Sequence, residues 1–97
     1  MRINAILINA ADDVVVTTAK TAPGDTLVYI ENGKEMTVEA TTDTPIYHKV
    51  ALHDIKKGDE VHKYGQVIGL ALRDIKKGEH VHTQNLNSRD LIYRTEA

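Results

Sequence analysis

A mostly β domain is what this sequence predicts, and three observations predict it. A fourteen-residue motif occurs twice, an Asn-Gly pair separates two β-prone runs, and no segment keeps a 3.6-residue apolar period over three turns. The first element, Met1 to Ile8, is short and β-branched, as is the second, Val14 to Thr18. Leu27 to Glu31 and Lys34 to Ala40 then read as two strands of a hairpin. Asn32-Gly33 between them suits a two-residue turn of the primed type, which needs positive φ at both central positions. Thr41 to Pro45 reads as a polar connector.

The duplicated motif follows. Val50-Ala-Leu-His-Asp-Ile-Lys-Lys-Gly-Asp-Glu-Val-His-Lys63 recurs as Leu70-Ala-Leu-Arg-Asp-Ile-Lys-Lys-Gly-Glu-His-Val-His-Thr83, with nine of fourteen positions identical. Such internal similarity is read first because it sets the architecture. Each copy reads as a strand, a tight helix-like turn and a second strand. Asp54 or Asp74 accepts N–H groups of the turn ahead, Ile55 or Ile75 anchors the turn in the core, and Gly58 or Gly78 ends it with positive φ. Glu60 to Lys63 and His80 to Thr83 return to strand. A weaker third copy is read over Val16 to Leu27, with Gly24-Asp25 matching Gly58-Asp59. Gly65 and Gly69 bracket Val67-Ile68, a strand entered and left by bends.

The chain has 97 residues, enough for one domain (1–97) with one modest core. Apolar residues make up 41% and the formal charge is −2, which suits a folded protein. Neither the charge nor the Lys-Lys pairs, each bracketed by acidic residues, gives the clustered basic face of a nucleic-acid binder. With no cysteine, disulfides, thiolate metal sites and thiol nucleophiles are excluded. The opening residues lack a signal-peptide layout, and no apolar run approaches the roughly 20 residues of a membrane span, so a cytoplasmic protein is expected.

Chemistry concentrates on a few polar residues. His80 and His82 are spaced i, i+2, so on a strand both imidazoles face one side and suit one metal ion. Two ligands leave such a site incomplete, and Asn85 offers a further oxygen. They equally suit a plain polar strand face. The repeat separates them: His82 pairs with His62, whereas His80 replaces Glu60 and so departs from the shared pattern. His48 and Lys49 suit a carboxylate-bearing substrate, but neighbours on a strand face opposite ways, so one of the two reaches a given site. Lys63 and Tyr64 add a cation and a phenol beside a bend. His53 stands where the other copy has Arg73 and reads as a surface residue. No catalytic residue is assignable.

The Ala-Leu-x-Asp-Ile-x-x-Gly-x-x-Val pattern resembles the SAF domain shared by type III antifreeze proteins and sialic acid synthases. A longer match is more specific. His48-Lys-Val-Ala-Leu-His-Asp-Ile-Lys-Lys-Gly-Asp59, Lys63-Tyr-Gly65, Ile68-Gly69 and Gly78-Glu-His-Val-His82 with Asn85 is similar to the N-terminal module of altronate and galactarate dehydratases. Two departures stand out: Tyr47 where relatives often have Gly before His-Lys, and Gln84 where they often have a third histidine.

That resemblance implies an SAF-like β-clip with short helical turns. It implies dehydration of a sugar acid to a 2-keto-3-deoxy acid, with a divalent metal, iron or manganese, held mainly by a large catalytic partner subunit. The chain would then be an accessory small subunit, inactive alone, contributing a wall or lid and His48, Lys49, Lys63, Tyr64 or Asn85 toward the substrate, with His80 and His82 toward metal. Two alternatives stay open: a stand-alone SAF-type module binding carbohydrate or protein, and the small subunit of a sulfolactate sulfo-lyase, which eliminates bisulfite. The expected partners are the large subunit and a sugar acid, with no nucleic acid or membrane; homo-oligomerisation in isolation is left open.

Overall fold

The computed structural model describes residues 2–63 and 65–88. Among these the fold is all-β: β1 (Ala5–Ile6), β2 (Val14–Thr17), β3 (Thr26–Glu31), β4 (Lys34–Glu39), β5 (Lys49–Ala51), β6 (Glu60–Lys63), β7 (Gln66–Ala71), β8 (His80–Val81) and β9 (Leu86–Ser88). No helix occurs among them, so the segments expected as helix-like turns are tight turns only. None of the described residues forms a helix long and apolar enough to cross a membrane.

A central antiparallel sheet in the order β1-β2-β5-β8 lies between the β3-β4 hairpin and a sheet ordered β6-β7-β9. Register decides which side chain meets which layer. Val15 opposes Val50 and Val50 opposes His80, so these three share one face. There Val15 and Val50 pack with Ala5 and with Leu27, Tyr29 and Val38 of the hairpin. On the other face Val14, Ala51 and Val81 pack with Val61, Ala71 and Leu86. Each fully buried Val or Leu contributes roughly 1.5–3 kcal/mol relative to an exposed one. The hairpin turn is as expected, with φ of 51° at Asn32 and 77° at Gly33. Gly69 differs: it lies inside β7, where a Cβ would sit 2.2 Å from the Asn87 carbonyl oxygen of β9. Close approach, not a bend, places a glycine there.

The two strong copies pair about a pseudo-twofold axis. Ile55 and Ile75 exchange two amide bonds of 2.7 Å; the amides of Gly58 and Gly78 donate to Ala71 and Ala51 at 2.8 Å; Ala71 and Ala51 donate back to Asp59 and Glu79. The same six bonds recur elsewhere. Thr21 and Thr44 exchange two, Gly24 donates to Ala40, Tyr47 to Thr17, Ala40 to Asp25 and Thr17 to His48, all at 2.8–2.9 Å. The third copy is therefore real, and its partner is a fourth, residues 40–50, which includes the segment read as a polar connector. Thr21 and Thr44 take the places of the two isoleucines, and their buried hydroxyls are satisfied by Ala19 and Thr42 carbonyls.

The turn chemistry also departs from expectation. Asp54 accepts from the Lys77 amide and Asp74 from the Lys57 amide, both at 2.9 Å, so each aspartate caps the turn of the other copy. Each copy's own turn is capped by the residue after its glycine: Asp59 accepts from Lys56, Glu79 from Lys76 and Asp25 from Ala22. The pseudo-twofold axis brings the opposite copy's amides closer than a copy's own.

Asp13 ties the layers at one point. Its Oδ2 accepts the His62 amide and Nδ1–H, both at 2.8 Å, and its Oδ1 accepts from His53 Nε2 at 2.7 Å. His53 also donates from Nδ1 to the Asp54 carbonyl at 3.0 Å. Both of its partners are acceptors, so His53 needs both protons. Its pKa is raised, first by the Asp54 carbonyl and then by Asp13, against an opposing effect of burial. Burial pushes the Asp13 carboxyl upward, but the bonds from His62 and His53 outweigh it and hold the group below the usual value. A raised histidine pKa stabilises the fold fully below the unfolded value near 6.5, and that contribution is lost as pH rises through the higher folded value. In thermal melts between about pH 5.5 and 8.5 the stability difference between wild type and His53→Ala should therefore shrink toward the alkaline side, whatever the opposing contribution of the lowered His80 and His82 pKa values. A difference that does not change with pH would remove His53 as the cause.

Candidate metal centre

The fourth copy departs from the other three at its turn. At its turn the capping donor is missing, because Pro45 stands where the other copies have Ala22, Lys56 and Lys76 and has no N–H. The acidic cap is then without use, and His48 occupies its position. Thr17 holds the turn in its place, its Oγ1 donating to the Pro45 carbonyl at 2.9 Å and to that of His48 at 3.3 Å. The glycine position before it is Tyr47, at φ 65° and 71% exposed. Left-handed backbone at a non-glycine residue costs roughly 1–2 kcal/mol, and so exposed a ring recovers little by packing. Tyr47→Gly should therefore raise stability by about 1 kcal/mol; a lower melting temperature in that variant would contradict this.

His48 meets the pair expected from the sequence. His80, on the edge strand β8, shares the face of Val50, as His48 does by alternation. His48 Nδ1 lies 2.9 Å from His80 Nε2, one ring donating to the other. The His48 ring centroid is 5.1 Å from that of His80 and 4.7 Å from that of His82, and the His80 and His82 rings stack at 5.7 Å. Ligating nitrogens of all three lie within 4.8 Å of one another. β8 ends at Val81, however, so His82 is brought to this side by the turn His82–Asn85 and not by a continued strand.

The donor set fits a divalent transition metal. Three imidazoles with metal–nitrogen bonds of about 2.0–2.1 Å need donors about 3–4 Å apart, a spacing bracketed by the 2.9 Å between His48 and His80 and the 4.8 Å limit of the whole cluster. Burial, then the positive fields of His48, His82 and Lys49, lower the His80 pKa; burial, then His48 and Lys49, lower that of His82. Both rings are thus held in the neutral form that binds metal. The cluster contains no carboxylate among the described residues. Glu79, the nearest in sequence, is bound to Arg73 at 2.6 Å and to the Lys76 amide.

The other expected residues fall differently. Lys49 opposes Val81 and Val16, on the face away from the imidazoles, so His48 is the member of that pair that reaches the site. The Lys49 pKa is lowered by burial and then by Lys63, which the fold brings within electrostatic reach. Asn85 is fully buried beneath the histidines, its carboxamide spent on their main chain, and so is placed as a support and not at a substrate surface. Tyr64 lies outside the described residues. Sequence reasoning missed Thr42, whose Oγ1 accepts the His80 amide at 2.9 Å. Gln84 approaches His80 through its side-chain amide, 3.3 Å from the His80 carbonyl. Gln84 stands where relatives often have a histidine, and the third imidazole of this cluster is that of His48.

This arrangement coincides with a family assignment. The sequence model of the altronate/galactarate dehydratase SAF domain matches residues 3–89. The chain belongs to that family. The match covers all four copies and all three clustered histidines. No curated protein matches the chain.

Proposed function

We propose that this SAF module is the small, accessory part of a sugar-acid dehydratase, and that it presents a divalent metal, iron or manganese, to a site completed by a larger catalytic subunit. The observation that carries this reading is the His48–His80–His82 cluster at an open sheet edge. Dehydrating a 2,3-dihydroxy acid requires a base for the C2 proton, an acid for the departing hydroxyl and stabilisation of the enediolate. A metal on the three imidazoles would supply Lewis-acid stabilisation of the last kind. His48, His80 and His82 would hold it through uncharged imidazole nitrogens, which would leave its positive charge for an anionic sugar acid. In this reading the base and the acid come from the larger subunit.

The test is reconstitution. The chain, purified from native extract with whatever large subunit accompanies it, is supplied with Fe²⁺ or Mn²⁺ and offered altronate, galactarate and sulfolactate. The reading expects a 2-keto-3-deoxy acid from a sugar acid, and loss of turnover in His80→Ala. Bisulfite release from sulfolactate would reassign the leaving group. A chain always recovered alone, adding nothing to a dehydratase subunit, would mark it as a free-standing binding module and sink the proposal.

A further inference from the structure

We infer that Asn85 is the positioning residue of the three-histidine centre, an assignment that rests on the metal-binding reading above. Its carboxamide is 0% exposed and, among the described residues, is the one side chain that grips the main chain of two clustered histidines at once. Asn85 Nδ2 donates to the His80 carbonyl at 2.8 Å, and Asn85 Oδ1 accepts the His82 amide at 2.9 Å. The second Nδ2 hydrogen points to Glu79 Oε2 at 3.3 Å, and that carboxylate is held by Arg73. The main chain of Asn85 is engaged as well, its amide donating to the His82 carbonyl and its carbonyl accepting from Leu72.

A turn alone would not demand this residue. Asp, Ser or Thr at position 85 would also accept the His82 amide and hold a four-residue turn. Only a carboxamide offers an acceptor for the His82 amide together with two donor hydrogens, for the His80 carbonyl and Glu79; a hydroxyl has one hydrogen, and a carboxylate there would face both that carbonyl and Glu79. The requirement therefore comes from keeping His80 and His82 at one fixed spacing although the strand between them ends at Val81. Ring positions follow from those two backbones, and metal affinity is sensitive to such supports, typically by 10–100-fold.

Asn85→Asp, Glu79→Gln and Val61→Ala in the full chain test the inference. Val61 lies on β6 and packs against the face of Val81 opposite the imidazoles, so Val61→Ala reports destabilisation without removing a hydrogen bond to the clustered histidines. Co²⁺ affinity is read by competition with a chromophoric chelator, the Co²⁺ visible spectrum reports ligand geometry, and melting of the metal-free proteins reports the fold. The expected result is a Co²⁺ affinity lowered about 10–100-fold in Asn85→Asp with an altered spectrum. Glu79→Gln should give a smaller loss in the same direction, and Val61→Ala wild-type affinity despite a lower melting temperature. If Asn85→Asp does not fold, Glu79→Gln alone decides. Wild-type affinity and spectrum in the Asn85 and Glu79 variants, or an equal loss in Val61→Ala, overturns the role of Asn85 alone. A wild-type chain that binds Co²⁺ no better than His48→Ala overturns the three-histidine reading and this inference with it.

Discussion

His48→Ala is expected to weaken binding of Mn²⁺ or Fe²⁺ by the isolated chain by at least about 100-fold, as much as His80→Ala or His82→Ala. Losing a supporting residue around a metal costs about 10–100-fold, and losing one of three ligands costs more. The equality is the informative part. His48 stands 32 residues from His80 in the chain, yet their ring nitrogens lie 2.9 Å apart. His62→Ala is the control, since that histidine is tied to Asp13 and stands apart from the cluster. Protons compete with the ion for the same nitrogens. Because the His80 and His82 pKa values are lowered, binding should persist to more acidic pH than ordinary imidazoles would allow. Equilibrium dialysis across a pH series would measure both effects. Undiminished binding in His48→Ala would remove it from the site.

Gly78→Ala is expected to cost at least about 3 kcal/mol of stability, against about 1–2 kcal/mol for Gly58→Ala. The two glycines occupy equivalent places in the near-identical copies and have almost the same φ, 87° and 88°. Backbone strain is therefore common to both substitutions. Their surroundings differ. A Cβ on Gly58 meets nothing within 4 Å, whereas one on Gly78 lies 2.1 Å from the Glu39 carbonyl oxygen and 3.1 Å from the Thr41 methyl. Either Gly78 or the chain at 39–41 must move, and the Thr41 amide bond to the Gly78 carbonyl is at stake. That segment also carries Thr42, which accepts the His80 amide, so Gly78→Ala should weaken metal binding as well. For a domain this size, 1 kcal/mol shifts the melting temperature by about 4–8 °C, so calorimetry separates the two variants. Equal losses would contradict the contact with Glu39.

Much of the fold was legible because its signals are local. Asn32-Gly33 specifies its turn through two residues, and β3 and β4 then pair in register over six positions. The isoleucine–turn–glycine unit announces itself by duplication. The fourth copy was not legible, because what it conserves is a pattern of main-chain bonds that Thr, Pro and Tyr can make as well as Ile, Lys and Gly. The capping roles of Asp54 and Asp74 were misplaced for a related reason: reading along the chain finds a copy's own amides, and only pairing reveals those of the other copy.

At the site, the sequence by itself determined that His80 departs from the duplicated pattern; it paired His80 with His82 through a continued strand, whereas the turn after Val81 is what brings the two together. The sequence also determined that His48 and Lys49 could not serve one site together, because a strand turns them to opposite faces. Which of the two would serve was decided only by tertiary structure, through the register that sets Val50 against His80 and Lys49 against Val81. The same register completes the set of three histidines without one at position 84, and it puts Asn85 beneath them as a support. Strand pairing joins residues by hydrogen-bond geometry and not by distance along the chain, so a site assembled across β5 and β8 exists only once the sheet has formed.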